Sequence, residues 1–431
     1  MEPMYRRLTS PHSDLIIKTH PYAEIVWWGS TLKHFSPDDC ISLERPVANG
    51  RLDTDTPLTL MAENGAGLFG SPGLEGHRNG LDASPVFRTI SVVQAGESLT
   101  LTSEDAVAGL RMVSDPKVWR EGGYWWMVIG ARDTSDTGQV LLYRGTSLRD
   151  WRQERVLAQS AAGESYMWEC PDFFRCGDHH WLMFSPQGMT PGGYRFRNRF
   201  QSGVLPGHWQ PGAAFALSGA FEELDHGHDF YAPQSLVAED GRRIIMAWMN
   251  MWDSPMPTKR EAWAGCLTLP RELFERHGRL CQRPVREAES LRGTCQPLHP
   301  VRLSGTQLLA EDAQAVELVL TWHTLDSQAE HYGIHLGDGL RLYVDNQAGR
   351  LVLWRHYPDE GLDGYRSIAL PGAEYLTLRV FLDRSSVEVF VNDGDATLSS
   401  RIYPQPGTRR LSLYAAHGEA VLTDGSLWTL A

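Results

Sequence analysis

The chain has no stretch of about 18 consecutive apolar residues, so no membrane-crossing helix is expected. Its opening, "MEPMYRRLTSPHSDLIIKTH", has no apolar core of the signal-peptide kind, and a cytoplasmic location is expected. Positive charge is in deficit. Lys and Arg number 40 against 53 Asp and Glu, a net charge of -13, which argues against nucleic acid or an anionic membrane surface as partner. Cysteine is sparse: Cys40, Cys170, Cys176, Cys266, Cys281 and Cys295 form no C-x-x-C pair and read as free thiols of a reducing compartment. "CGDHH" (176–180) and "HGH" (226–228) lack a second half at zinc-like spacing, so no metal site is expected. The Gly-rich stretch 60–85 could cradle phosphate, but it contains no G-x-x-x-x-G-K-[ST] and does not sit between a strand and a helix, so that reading is weak. Helical periodicity is also nearly missing over 114–290, apart from a short stretch near Leu269 to His277.

Aromatic residues are plentiful, with 15 Trp, 14 Tyr and 14 Phe. Exposed Trp and Tyr suit sugars, because a flat apolar ring matches the C–H face of a pyranose or furanose while N–H and O–H reach hydroxyls; most are expected to fill a β-rich core instead. Strand signals dominate. "YWWMVIGARD" (124–133), "GQVLLYRG" (138–145), "HHWLMFSPQG" (179–188) and "RRIIMAWMN" (242–250) are short β-branched and aromatic runs bounded by Gly, Asp and Pro. Short strands at regular spacing imply a sandwich, a barrel or a propeller, and the strand, tight turn, strand units over 115–270 read as propeller blades. Residues 291–305, within "REAESLRGTCQPLHPVRLSG", read as a linker. Beyond it, 306–431 alternates as a β-sandwich, with "SSVEVFVNDG" (385–394) as a strand closing on a hairpin turn.

One segment points to chemistry. In "YMWECPDFF" (166–174) Glu169 sits among large aromatics, where desolvation raises a carboxyl pKa and keeps a general acid protonated. Acids that cleave sugar bonds work with a second carboxylate.

From Asp115 onward the chain resembles the β-fructofuranosidases, sucrose hydrolases of glycoside hydrolase family 32. The residues carrying the likeness are "SDPKVWR" (114–120), "WECPDFF" (168–174), "GHDFYAPQS" (227–235), "WAGCLTLPREL" (263–273) and "SSVEVFVNDG". The resemblance implies a five-bladed propeller followed by a sandwich, a retaining mechanism and no cofactor. It implies Glu169 as general acid/base and Asp115 as the acid that stabilises the transition state. Asp229, Tyr231, Trp248 and Trp263 match positions near the sugar; packing between blades is the alternative for the two tryptophans. Arg132, in "GARD", is a candidate to orient Glu169, and Asp172 a supporting hydrogen-bond acceptor. The family's nucleophile lies in a Trp-Met-Asn-Asp-Pro-Asn-Gly segment, which these 431 residues do not contain. Ser114 stands where the family has an arginine, so a positive charge beside the carboxylates is missing.

Residues 1–113 resemble something else: the N-terminal β-sandwich of the raffinose-cleaving α-galactosidases of glycoside hydrolase family 36. The segments carrying that likeness include "RLTSPHSDLIIKTHPYAEIVWWG" and "TSEDAVAGLR". The chain is therefore read as an all-β hybrid: 1–113 a foreign N-terminal β-sandwich, 114–290 an incomplete propeller, and 306–431 a C-terminal sandwich. Asp14, Asp53, Asp55 and Glu63 are the acids available to replace the nucleophile, and all are expected to be ordinary polar residues of the foreign segment. The expected function is a sucrose hydrolase by family with impaired turnover, acting on sucrose or raffinose-type sugars and prone to self-association. Non-catalytic fructoside binding and a non-functional fusion remnant are the alternatives; α-galactosidase activity is disfavoured because that enzyme's barrel is absent.

Overall fold

Alternating burial builds the sheets. In the strand Tyr124–Asp133, Trp126 and Val128 are fully buried while their neighbours are partly exposed, so one face packs and the other meets solvent. The computed structural model describes residues 5–20, 23–33, 36, 39–40, 77–78, 81–82, 87–95, 98–105, 110–148, 150–370 and 372–430. The chain packs as two units, Met1–Met112 and Val113–Ala431.

In the first unit, β1 (Tyr5–Thr9), β2 (Ser13–Lys18) and β3 (Glu24–Ser30) form one antiparallel sheet. Among the described residues two hairpins follow, β4 (His77–Arg78) with β5 (Leu81–Asp82) and β6 (Phe87–Ala95) with β7 (Ser98–Asp105). Most of the Gly-rich stretch 60–85 lies outside the described residues, as do Asp53, Asp55 and Glu63.

Three antiparallel meanders make the propeller part of the second unit. The first comprises β8 (Leu110–Glu121), β9 (Tyr124–Asp133), β10 (Gly138–Ser147) and β11 (Asp150–Gln159). The second comprises β12 (Met167–Cys176), β13 (His179–Gln187), β14 (Gly203–His208) and β15 (Ala216–Leu217), with β16 (Glu222–Glu223) also on β14. The third comprises β17 (Tyr231–Val237), β18 (Arg243–Trp248), β19 (Arg271–Arg276) and β20 (Arg279–Pro284). Apolar side chains fill the spaces between blades: Trp126, Leu142, Trp168 and Phe184 between the first two, Phe174, Trp181, Ile245 and Leu273 between the second and third. The helical signal near Leu269 to His277 is overturned. That stretch is β19, in which Arg271 and Leu273 both point inward, a period of two that a buried arginine disguises in the sequence.

The sandwich contains β21 (Arg292–Leu298), β22 (Val301–Ala310), β23 (Val316–His323), β24 (His331–Leu336), β25 (Leu340–Asp345), β26 (Arg350–Tyr357), β27 (Leu362–Ala369), β28 (Tyr375–Leu382), β29 (Ser386–Val391), β30 (Ala396–Arg401) and β31 (Leu411–Leu430). The expected linker 291–305 is therefore corrected: most of it is strand, with β21 and β22 paired to β31. Its side chains are largely exposed, so no apolar alternation marked it. The hairpin read in "SSVEVFVNDG" is present, with Asn392 and Asp393 at φ 47° and 56° between β29 and β30.

Blades and sandwich meet in a buried polar seam. Arg271, fully buried, donates to Asp225 Oδ2 at 3.1 Å, to Ser399 Oγ at 2.6 Å and to the carboxylate of Glu388. "LTLPREL" and "SSVEVFVNDG" thus belong together physically, because the arginine of one is neutralised by the glutamate of the other.

Candidate active site

The first strand of each blade, β8, β12 and β17, lies at an edge of its sheet and is interrupted by a proline. In all three the residue before that proline is left-handed: Asp115 at φ 58°, Cys170 at φ 50° and Ala232 at φ 51°. Proline supplies no ladder donor, so it is tolerated at an edge, and it bars its predecessor from the right-handed helical region. In β12 and β17 the result is a bulge, between Glu169 and Asp172 and between Tyr231 and Gln234. A bulge re-aims the side chains beside it. Left-handed backbone at a residue with a Cβ costs about 1–2 kcal/mol, and such strain gathers at functional sites. Gly130 on β9 lets the β12 backbone come close, since a Cβ there would stand 2.1 Å from the Trp168 carbonyl oxygen.

These bulges bring Glu169 and Asp115 together with Tyr231. The Tyr231 hydroxyl, buried, donates to Glu169 Oε2 at 2.7 Å and accepts from Gln187 Nε2 at 3.2 Å. Asp115 Oδ2 accepts from the Cys170 backbone N–H at 3.1 Å, with the Cys170 thiol 3.5 Å away. Burial pushes the Glu169 carboxyl above the ordinary glutamate range. The Tyr231 hydrogen bond opposes that rise, the negative charge of Asp115 reinforces it, and Gln187 opposes it again. Burial likewise raises the Cys170 thiol and the Tyr231 phenol far above their usual ranges, so neither is a base at neutral pH. The arrangement offers a carboxyl biased to hold a proton beside a second, solvent-exposed carboxylate.

The other expected residues divide. Trp248 is the register partner of Tyr231 across β17 and β18, and its ring lies 5.3 Å from that of exposed Trp252. Asp229 does not join the Glu169 cluster. That carboxylate is buried in the seam, paired with Arg355 and accepting the Arg401 backbone N–H at 2.8 Å, so its charge is spent on the sandwich. Trp263 lines a different cleft of 540 Å³, between blades and sandwich, with Tyr403, Arg260 and Glu360. Arg132 does not orient Glu169; its guanidinium binds Asp136 at 2.7 Å and covers the Tyr166 ring at 4.7 Å. Asp172 is an acceptor, but towards β17, taking the Ser235 N–H at 2.9 Å and hydroxyl at 2.7 Å. Asp14 is buried in the first unit under Arg7 and the Leu32 N–H, each at 2.6 Å, which hold its carboxyl down at about 2. Sequence reasoning missed Gln187, Lys117, Gln234 and Ser235. Only the proline repeat, S-D-P-K, E-C-P-D and Y-A-P-Q, could have pointed to the last three.

Residues 89–284 match the Glycosyl hydrolases family 32 N-terminal domain, and residues 287–429 the Glycosyl hydrolases family 32 C terminal. A raffinose invertase of Escherichia coli is 79% identical over 322 residues, 75% of this chain and 68% of that protein. An alpha-galactosidase of Escherichia coli is 78% identical over 111 residues, 26% of this chain and 16% of that protein. Among solved structures, a GH32 beta-fructofuranosidase of Bombyx mori superposes with a TM-score of 0.66 at 25% identity, covering 98% of this chain and 86% of that one.

Proposed function

The chain belongs to glycosyl hydrolase family 32, and from that membership we propose that the Glu169–Asp115 site handles β-fructofuranosides of the sucrose and raffinose type. Glu169 is the general acid that protonates the departing glycosidic oxygen and then the base that draws a proton from water. Asp115 holds fructosyl hydroxyls and stabilises the positive charge that develops on the ring. Tyr231 holds the Glu169 carboxyl in place, and Trp248 borders the sugar. The observation that carries this reading is the raised Glu169 carboxyl, bonded by Tyr231 at 2.7 Å with the Asp115 charge nearby.

A retaining hydrolase also needs an attacking carboxylate about 5–5.5 Å from the acid. The Trp-Met-Asn-Asp-Pro-Asn-Gly segment that carries it in the family does not occur in these 431 residues, and Asp14 is committed to Arg7. We therefore expect sucrose to bind and to be cleaved several orders of magnitude more slowly than by a complete enzyme. Calorimetry with sucrose beside a glucose-release assay tests both halves. Heat of binding without appreciable glucose supports the reading; ordinary invertase turnover removes the proposed impairment, and no binding removes the function. The junction near residue 114 is proposed to join an α-galactosidase-like 1–113 to a fructosidase-like remainder, in a cytoplasmic, self-associating protein. Size-exclusion chromatography giving a single monomer peak would end the last of these.

A further inference from the structure

Lys117 follows Pro116 on β8, Asp172 follows Pro171 on β12, and Gln234 follows Pro233 on β17, so the repeat that bends the three strands puts one polar side chain after each bend. These side chains converge. Lys117 Nζ lies 3.1 Å from Asp172 Oδ2 and 3.2 Å from Gln234 Oε1, and it donates to the Ser235 carbonyl as well. Gln234 Nε2 in turn donates to the Cys170 carbonyl at 3.0 Å, and Ser235 donates twice to Asp172. One ammonium, 27% exposed, thus bonds to both other strands, and its carboxylate partner is 1% exposed.

The consequence is geometric. Asp115 stands two residues before Lys117, and Glu169 three before Asp172, each with a proline between. Beside the bonds at the site itself, Cys170 N–H to Asp115 and Tyr231 to Glu169, much of the packing between blades is apolar, and dispersion contacts hold a separation less sharply than directional bonds from a half-buried charge. Catalytic carboxyls must keep their spacing to within about 0.5 Å.

We propose that Lys117 is a positioning residue: its bonds to Asp172, Gln234 and Ser235 fix the distance between Asp115 and Glu169. This rests on the reading of those two acids as the working pair.

The test compares K117M, K117R and Q234L with the unchanged full chain. Two quantities are read: the titration midpoint of the Glu169 carboxyl by ¹³C NMR, assigned with E169Q, and the sucrose affinity by calorimetry. Glu169 is faced by Asp115 from β8, Tyr231 from β17, Gln187 from β13 and Cys170 on its own strand, and of these Asp115 is the one whose charge lifts it. If the lacing sets the spacing, K117M lets Asp115 drift, so the Glu169 midpoint falls towards the ordinary glutamate value and sucrose affinity drops about tenfold. K117R, with charge and donors kept, restores most of both. A mere loss of nearby positive charge would move the midpoint the other way, upward. Q234L removes the Lys117–Gln234 bond and the bond from Gln234 to the Cys170 carbonyl without changing any charge, so it decides the matter if K117M fails to fold or disagrees. A midpoint that rises or stays put in Q234L overturns the proposal. Should the unchanged chain bind no sucrose, the fructoside reading fails, while the titration still decides whether Lys117 positions the pair.

Discussion

Burial around Glu169, only partly offset by the hydrogen bond from the buried Tyr231, couples its protonation to stability. The folded carboxyl titrates above a free glutamate, so the folded state prefers the protonated form. That preference contributes stability below about pH 4, and the contribution is lost as pH climbs through the raised midpoint. E169Q, neutral at every pH, should therefore melt above the unchanged chain at about pH 7, with the gap closing at about pH 4; thermal melts at the two values check it. Y231F removes the donor that opposes the rise, together with the hydroxyl that accepts from Gln187 Nε2. We expect the Glu169 midpoint to climb further and unfolding in urea to show a loss of about 1–2 kcal/mol.

At the scale of the strand, the repeated left-handed residue before proline is the device that builds the site. Ala232 adopts it with no functional side chain, so it carries the strain alone. A232G should add about 0.5–1 kcal/mol, by releasing the Cβ clash at some cost in unfolded-chain entropy, read as a higher urea midpoint with an unchanged slope. The same repeat shows why the sequence was only partly legible. Aromatic and β-branched runs disclose β9, β10, β13 and β18 directly, because burial on one face imposes those residue types. The bends do not disclose themselves: Ser-Asp-Pro-Lys, Glu-Cys-Pro-Asp and Tyr-Ala-Pro-Gln share one letter, and what they have in common is a backbone angle. The apolar neighbours of Glu169 mark it in the sequence, whereas Asp115 is marked by resemblance alone. The pairing of Asp229 with Arg355 and of Arg132 with Asp136 is set by tertiary packing and by turn geometry that composition does not express. β21 and β22 read as a linker in the sequence because their exposed side chains offer no alternation.

The second unit as a whole depends on charge buried where blades meet sandwich. Arg271 faces Asp225 and Glu388; burial raises the Glu388 carboxyl while Arg271 counters it. R271M would strand two carboxylates and should cost about 3–5 kcal/mol at neutral pH. Its loss should shrink on acidification, as Glu388 takes up a proton in place of its cation, and unfolding in guanidinium at two pH values would show this. The twenty-residue β31 has an effect in time. It pairs with β21, β22, β23 and β24, which are the earliest strands of the sandwich to be made. Those four wait at the ribosome with open edges until residues 411–430 emerge, so a nascent chain stalled before Leu411 should depend on a chaperone that the finished chain can do without.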